Sequence, residues 1–578
     1  MRFIELKKLS RSDASALPEL RCVLLGDCAT QHLATALKGQ AVAEGLRLEL
    51  LDTDYDQLRA QITDPGSELY AHKPEAVILA CCTERLYAAY HDTPAAERES
   101  FAENKLAELC AYWERLLSVP GLRVLQFSFP ELDDGIYGDL AAQIKSSFLY
   151  QQRLLNLKLA DAAAEHAGVF IIDIAALQGR IGRRALHDER LYASAKISFM
   201  PEALPFVAEK TVAMLRALKG YIKKCVVLDL DNTLWGGVVG DDGLEGIQIG
   251  ELGSGHAFYD FQLWLKELKE RGMLLAVCSK NDEDKAKEPF EKHPEMVLKL
   301  TDFAVFVANW EDKAGNIRHI RELLDLGLDS FVFIDDNPFE RELVRSMLPE
   351  VTVPELPEDP ALYVEYLSSL NLFETASHSA ADAARTGQYR AEAARRSTQA
   401  EYADYDDYLK ALEMQAECAS FTPFHYPRIA QLSQRSNQFN LRTVRYTEED
   451  IRRIAEDEQY STIYFCLKDK FGDHGLISAV IMKREGEDFF IDTWIMSCRV
   501  LKRGMEEFII NKVMEEAAKA GAKRVIGEYL PTPKNGMVKE IYSKMGFTPE
   551  GEGRFIAECA GFTARKCYIT ATAPETQA

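Results

Sequence analysis

The chain has 578 residues, 47% apolar and 28% charged, an ordinary globular composition with room for roughly three or four domains that each bury a core. Its formal net charge of −23 excludes general nucleic-acid binding, which needs a basic surface, but leaves room for a local cationic patch facing an acidic partner. No apolar run reaches the roughly 18 residues of a membrane-spanning helix, and Met1-Arg-Phe-Ile-Glu-Leu-Lys-Lys8 lacks the apolar core of a signal peptide. The expected setting is the cytoplasm, where the 12 cysteines, scattered without paired metal spacing, stay reduced thiols.

Residues 1–220 alternate strands with helices. Arg21 to Leu25, Glu75 to Ala80, Leu122 to Phe127 and Gly168 to Ile174 read as strands. Amphipathic segments such as Asp139 to His166 lie between them, predicting a three-layer α/β domain. Gly26-Asp27-Cys28 follows the first strand and resembles the Gly-Asp-Ser opening of SGNH hydrolases, with cysteine in the place of the nucleophilic serine, and the resemblance implies an SGNH/flavodoxin-like fold. The late Asp-x-x-His of that group has no counterpart, since His187-Asp188 runs in the wrong order, so this domain is expected to be inactive.

Residues 221–360 carry the chemistry. The unbroken apolar run Cys225 to Leu228 reads as a buried parallel strand, and Asp229 and Asp231 follow at its carboxyl end, where such sheets bind ligands. Residues i and i+2 of an extended chain share a side, so both carboxylates can address one metal and one phosphate. The run Asp229-Leu-Asp-Asn-Thr233 resembles the first motif of the haloacid dehalogenase (HAD) superfamily. Gly272 to Cys278 is a second strand ending in Ser279-Lys280-Asn281, and Ser279 matches the phosphate-binding hydroxyl of motif two. Lys313 matches the motif-three lysine, and Phe331 to Ile334 is a third strand that leads into Asp335-Asp336 as motif four.

Each role has a physical reason. Asp229 is placed to attack phosphorus, and Asp231 to act as general acid and then as base for water. Asp229, Asp335 and Asp336 offer hard oxygens to Mg²⁺, and the resemblance adds the carbonyl of Asp231. Ser279 and Lys313, with Thr233 and Asn281 at the same strand ends, are expected around the phosphate. The intervals Asn232 to Cys278 and Asn281 to Asp312 are too short for a cap domain, so a capless Rossmann-like HAD domain open to a macromolecule is expected.

Residues 361–412 are polar and alanine-rich, including Ala391-Glu-Ala-Ala-Arg-Arg396, and read as a helical connector with a solvated face. Residues 413–578 turn β-rich around one strong helix, Met505 to Ala520, and resemble the GNAT acyltransferase fold in an α+β domain. Arg499-Val-Leu-Lys-Arg-Gly504 opens that helix where the fold holds an acyl-pantetheine pyrophosphate on backbone N–H groups. Lys502 stands where the motif has its first glycine, offering an ammonium in place of close backbone approach. Tyr542-Ser-Lys-Met-Gly-Phe547 matches a common ending of the fold.

The stretch from Leu228 to Gly243 looks like the signature of the FkbH-like group, HAD subfamily IIIC. Val277 to Asn281, Phe333 to Arg341, Ser436 to Asn440, Asp469 to Gly475 and Ser497 to Gly504 agree with it. The resemblance covers about residues 221–570. It implies a Mg²⁺-dependent enzyme that dephosphorylates 1,3-bisphosphoglycerate and loads the glyceryl unit as a thioester on an acyl carrier protein, with polyketide starter or extender supply as the expected pathway and polysaccharide decoration as the alternative. Cys278, beside Ser279, is the first candidate for an acyl-bearing thiol, although neighbours on a strand face opposite sides; Cys498 is the second. His474 is a candidate base for the carrier thiol. Arg499, Lys502, Arg503 and Gly504, with Arg435, Arg442 and Arg445, are candidate contacts for the carrier or its pantetheine. Two other readings stay open: a stand-alone phosphatase, and a non-catalytic protein that docks carrier domains.

Overall fold

The computed structural model describes residues 1–377, 386–387, 389–391, 404–436, 438–497, 500–532 and 534–573, with Arg435 by its backbone alone. Two compact units emerge. The first holds residues 1–224 together with residues 362–377; the second holds residues 225–361 and the C-terminal part of the chain. Of the expected connector 361–412, residues 378–385, 388 and 392–403 lie outside the described residues, and the Tyr363–Ser369 and Tyr405–Ala411 helices are in its described parts.

In the first unit β1 (Glu19–Gly26), β2 (Arg47–Asp52), β3 (Ala76–Ala80), β4 (Arg123–Phe127) and β5 (Val169–Ile172) form one parallel sheet. Its order, β2-β1-β3-β4-β5, is flavodoxin-like. Side chains of β1 alternate between two cores: Cys22 and Leu24 join one cluster, Val23 and Leu25 the other. That alternation is what a sheet covered on both faces requires, and it accounts for the apolar runs in the sequence. β2, absent from the expected strands, lies at the sheet edge, where Glu49 is exposed between buried Leu48 and Leu50.

The second unit contains two sheets. β6 (Cys225–Leu228), β7 (Leu274–Ser279), β8 (Phe303–Ala308) and β9 (Phe331–Ile334) are parallel in the order β8-β7-β6-β9. The chain winds outward from β6 through β7 to β8, then returns to place β9 on the other side of β6. The carboxyl ends of β6 and β9 therefore flank the switch point where such sheets bind ligands. β8 was not among the expected strands; a short apolar run such as Phe303 to Ala308 reads equally as strand or buried helix. Between β6 and β7 lie the Val239–Gly246 and His256–Glu270 helices and one short 3₁₀ turn, and between β7 and β8 the Glu283–Lys292 helix and another. Neither interval holds a further sheet among the described residues, in keeping with an uncapped site.

The last sheet has eight strands: β10 (Gln415–Ala419), β11 (Tyr460–Asp469), β12 (Gly472–Glu485), β13 (Asp488–Met496), β14 (Arg524–Glu528), β15 (Thr548–Pro549), β16 (Arg554–Glu558) and β17 (Thr570–Thr572). β10 to β13 form an antiparallel meander. β13 and β14 are parallel, joined by the Met505–Lys519 helix as the crossover that parallel neighbours need. They pair only at Phe489↔Val525 and Phe490↔Ile526, and past these the two strands part. The chain is thus a multidomain α/β protein with HAD-like and GNAT-like α+β parts.

Candidate active site

The HAD-like site grows from strand ends. Asp229 follows β6 and is tied to β9 by its backbone N–H, which donates to the Ile334 carbonyl at 3.0 Å. Asp335 follows β9 and is fully buried. Lys313 is the first residue of the Lys313–Leu324 helix, whose N-terminus is capped by Asp312 accepting from the Gly315 N–H. That cap aims a long cationic side chain into the core from a fixed origin. The Lys313 ammonium lies 2.8 Å from Asp229 Oδ2 and 2.6 Å from Asp335 Oδ2. Burial works against its charge, but the two carboxylates outweigh burial and hold it protonated well above the usual lysine range.

One cation does not satisfy this many acids. Asp229 Oδ1 is buried and has no hydrogen-bond partner. Carboxylate oxygens of Asp229, Asp335 and Asp336 lie within 4.8 Å of one another. Burial, and next the charge of Asp229, push the Asp335 carboxyl up to about 7, and the same two causes raise Asp336. An all-oxygen trio with an orphaned carboxylate oxygen fits a hard divalent cation such as Mg²⁺.

Asp231 is held by three donors. Trp235 Nε1 reaches its Oδ1 at 2.9 Å and the Val239 N–H at 3.0 Å; Asn281 Nδ2 reaches Oδ2 at 3.1 Å. Burial raises its pKa despite these bonds, which suits a group that must carry a proton. The supporting turn needs unusual backbone. Asn232 has φ 56° and its Oδ1 accepts from the Gly237 N–H at 2.9 Å, which asparagine and glycine tolerate best.

Thr233 is fully buried and bridges motifs one and four, donating to Asp336 Oδ1 at 3.3 Å and accepting from the Asp336 N–H at 3.1 Å. Ser279 is buried at the end of β7, where its carbonyl accepts from the Asn309 N–H. Asp229, Lys313, Asp335, Asp336 and Thr233 are therefore gathered in one cluster, Asp231 and Asn281 pair with each other two residues beyond Asp229, and Ser279 stands at the neighbouring strand end. Two supporting residues escaped the sequence reading. Arg341 is buried and donates to the carbonyls of Asp335 (2.9 Å) and Asp336 (2.6 Å), clamping the motif-four turn. Trp235 orients Asp231. Both sit inside stretches already singled out, but only as letters of a pattern.

Cys278 is a correction. Its residue has no exposed surface, it packs with Ala314, Ile317 and Phe333, and its Sγ donates to the Lys313 carbonyl at 3.7 Å. Burial drives the thiol pKa far up, and the opposing charge of Lys313 does not reverse this. Alternation along β7 sends Cys278 into the core, so an acyl-bearing thiolate there has neither access nor ionisation.

In the GNAT-like part His474 sits in a buried polar cluster. Its Nε2 is 3.1 Å from Asp469 Oδ2 and 3.5 Å from Arg503 Nη1, and Arg503 is 3.8 Å from Asp469. Asp469 is a residue the sequence reading did not assign: it lies in β11, five positions before His474 in β12, across a tight hairpin. Lys502 has φ 63°, and its N–H donates to Glu506 Oε1 at 2.9 Å; Gly504 has φ 81° and caps the Met505–Lys519 helix. Arg442 is engaged within the domain by Asp492 and Glu528, each at 2.7 Å, and Arg445 by the Ser433 and Ser436 carbonyls. Cys498, Arg499 and the Arg435 side chain lie outside the described residues.

The chain is similar to known proteins in more than one part. The model of the FkbH N-terminal domain family matches residues 21–216. The N-terminal part of the protein BF1531 from Bacteroides fragilis, solved containing a phosphatase domain complexed with Mg, is 47% identical. That match covers 65% of this chain and 100% of that one, at a TM-score of 0.63. The ribosomal-protein-S18-alanine N-acetyltransferase of Escherichia coli is 14% identical, covering 25% of this chain and 91% of that one, at a TM-score of 0.19. No curated protein matches the chain.

Proposed function

Because the chain belongs to the FkbH-like family, we propose that it is a Mg²⁺-dependent HAD-type phosphatase coupled to acyl transfer, taking 1,3-bisphosphoglycerate and loading glyceryl on an acyl carrier protein. The observation that carries this reading is the pairing of Asp229 with Lys313 and Asp335 at the switch point, with Asp229 Oδ1 left unpartnered. Asp229, Asp335 and Asp336, with the Asp231 carbonyl, would hold Mg²⁺, which would neutralise charge on the phosphoryl group.

The donor carries two different phosphates, so two bond cleavages are needed. At the phosphomonoester, an Asp229 oxygen attacks phosphorus, the phosphorus–oxygen bond breaks, and Asp231 protonates the departing hydroxyl. Asp231 then takes a proton from water, which attacks the aspartyl phosphate and frees inorganic phosphate with Asp229 restored. Lys313 and Ser279 bear on the phosphoryl oxygens, while Asn281 and Trp235 hold Asp231. At the acyl phosphate, a thiol attacks the acyl carbon and phosphate leaves as the anion. With Cys278 buried, the carrier's own pantetheine thiol is the simplest nucleophile, with His474 taking its proton and Asp469 orienting the imidazole. Lys502, Arg503 and Gly504 stand at the helix start where the pantetheine phosphate would bind.

The test is phosphate release from freshly generated 1,3-bisphosphoglycerate with Mg²⁺. The wild-type protein should release phosphate well above the spontaneous rate, and Asp229→Asn should lose about 10⁴-fold or more of the monoester cleavage. Equal release by the two proteins contradicts the assignment. Release without carrier loading leaves the stand-alone phosphatase.

A further inference from the structure

The first unit contains a cluster that the phosphate chemistry does not use. β1 and β3 are adjacent parallel strands in register, with Gly26 opposite Ala80. Continuing both chains by two residues brings Asp27-Cys28 alongside Cys81-Cys82. The sheet order makes this pair of strand ends the switch point, since the chain leaves β1 toward β2 on one side and toward β3 on the other. The approach is close: a Cβ on Gly26 would come within 2.5 Å of Thr30 Cγ2 and 3.3 Å of the Ala80 carbonyl oxygen.

Cys81 turns into the core, but Asp27, Cys28 and Cys82 face one another. A carboxylate oxygen and the two sulfurs all lie within 4.8 Å of one another. Asp27 Oδ1 accepts the Cys82 N–H at 2.8 Å, and Cys28 Sγ donates weakly to the Ala80 carbonyl at 3.9 Å. The Tyr192 phenol lies beside the Cys82 thiol. A cavity of about 270 Å³ opens onto Asp27, lined also by Arg85, Lys105, Leu86 and Phe129. Arg85 pairs with Asp56 at 3.0 Å and Lys105 with Glu108 at 2.8 Å.

Two thiols and one carboxylate, converging from two strand ends beside a cavity, form a ligand set. Around one tetrahedral ion, sulfur and oxygen ligands stand roughly 3.3–3.8 Å apart, so from separations within 4.8 Å a closure of at most about 1.5 Å brings all three onto one ion. We propose that Asp27, Cys28 and Cys82 bind a thiolate-preferring divalent cation, Zn²⁺ being the expected one, with a fourth position left open. Binding releases the two thiol protons and places two thiolates and one carboxylate on the ion. Sulfur separates this site from the HAD-like one, whose ligands are all oxygen and favour Mg²⁺. Three protein ligands with an open position is the arrangement of catalytic rather than purely structural zinc. Local spacing in the sequence hides the site, because Cys28 and Cys82 lie 54 positions apart.

The experiment uses the full chain, chelator-stripped and kept reduced by a phosphine, with excess Mg²⁺ to occupy the oxygen site. Co²⁺ is titrated as the probe. The expected result is one equivalent of Co²⁺ with a sulfur-to-cobalt charge-transfer band that Zn²⁺ displaces. Cys28→Ser and Cys82→Ser should each lose the band and weaken Zn²⁺ binding beyond the 10–100-fold that an outer-shell partner costs, while Cys278→Ala keeps both. Cys28→Ser should also keep phosphate release. No band, or a band that survives both serine variants, overturns the proposal. Should the variants not fold, alkylation of the wild-type protein with and without Zn²⁺ decides: selective protection of Cys28 and Cys82 supports the site, and equal labelling overturns it.

Discussion

Lys313 is the residue on which the phosphate site balances. It is almost wholly buried between two carboxylates, so its removal leaves Asp229 and Asp335 facing each other in the interior. Breaking a buried pair by deleting one partner costs about 3–5 kcal/mol. Lys313→Met should therefore lower the melting temperature in the absence of metal, and Mg²⁺ should restore part of the loss because it supplies the missing positive charge. Thermal denaturation of the variant with and without Mg²⁺ checks this; a variant as stable as the wild type without metal contradicts it. The acids make a second prediction. Asp335 is raised to about 7 by burial and by Asp229, so below that pH a proton competes with the cation for it. Apparent Mg²⁺ affinity should rise as pH climbs toward about 7 and level off above it, as calorimetric titration at several pH values would reveal.

At the scale of elements, function collects at turns that follow strands, and the turns after β6 and β9 are braced by Trp235 and Arg341. Arg341, from the Pro338–Met347 helix, donates to two carbonyls of the turn after β9. Arg341→Ala should cost about 1–3 kcal/mol through unpaired carbonyls and weaken Mg²⁺ binding about 10–100-fold, measured by denaturation and titration. What the sequence allowed one to read follows the same division. Apolar runs ending in Asp229, Ser279 and Asp335 were readable because parallel strands are local and their carboxyl ends carry the chemistry. Cys278 could serve only if the strand had turned before it; β7 runs on through Ser279, so alternation keeps Cys278 in the core. His474 was readable as a candidate but Asp469, five positions before it across a tight hairpin, was quoted without a role. Asp27 and Cys28 with Cys82 were not readable as one site, because they meet only through the pairing of β1 with β3, which no local spacing encodes.

For the molecule as a whole, the two clusters to which phosphate removal and acyl placement are proposed to belong lie on separate sheets, one of oxygen acids and Lys313, the other of His474, Asp469 and Arg503. The two activities should therefore be separable by mutation. His474→Ala should leave phosphomonoester cleavage within about 3-fold of wild type and slow carrier loading by about 10²–10⁴-fold, as expected for loss of a general base. Loss of both activities together would mean that His474 only supports the fold.

The measurement that bears most directly on the coupled reaction is the intact mass of a holo-acyl carrier protein after incubation with the enzyme, Mg²⁺ and 1,3-bisphosphoglycerate. The wild-type enzyme should add a glyceryl unit, whereas Asp229→Asn should add either the same unit still bearing its phosphate or nothing. A plain glyceryl adduct formed equally by Asp229→Asn, or no adduct with the wild-type enzyme while phosphate is released, would contradict the account.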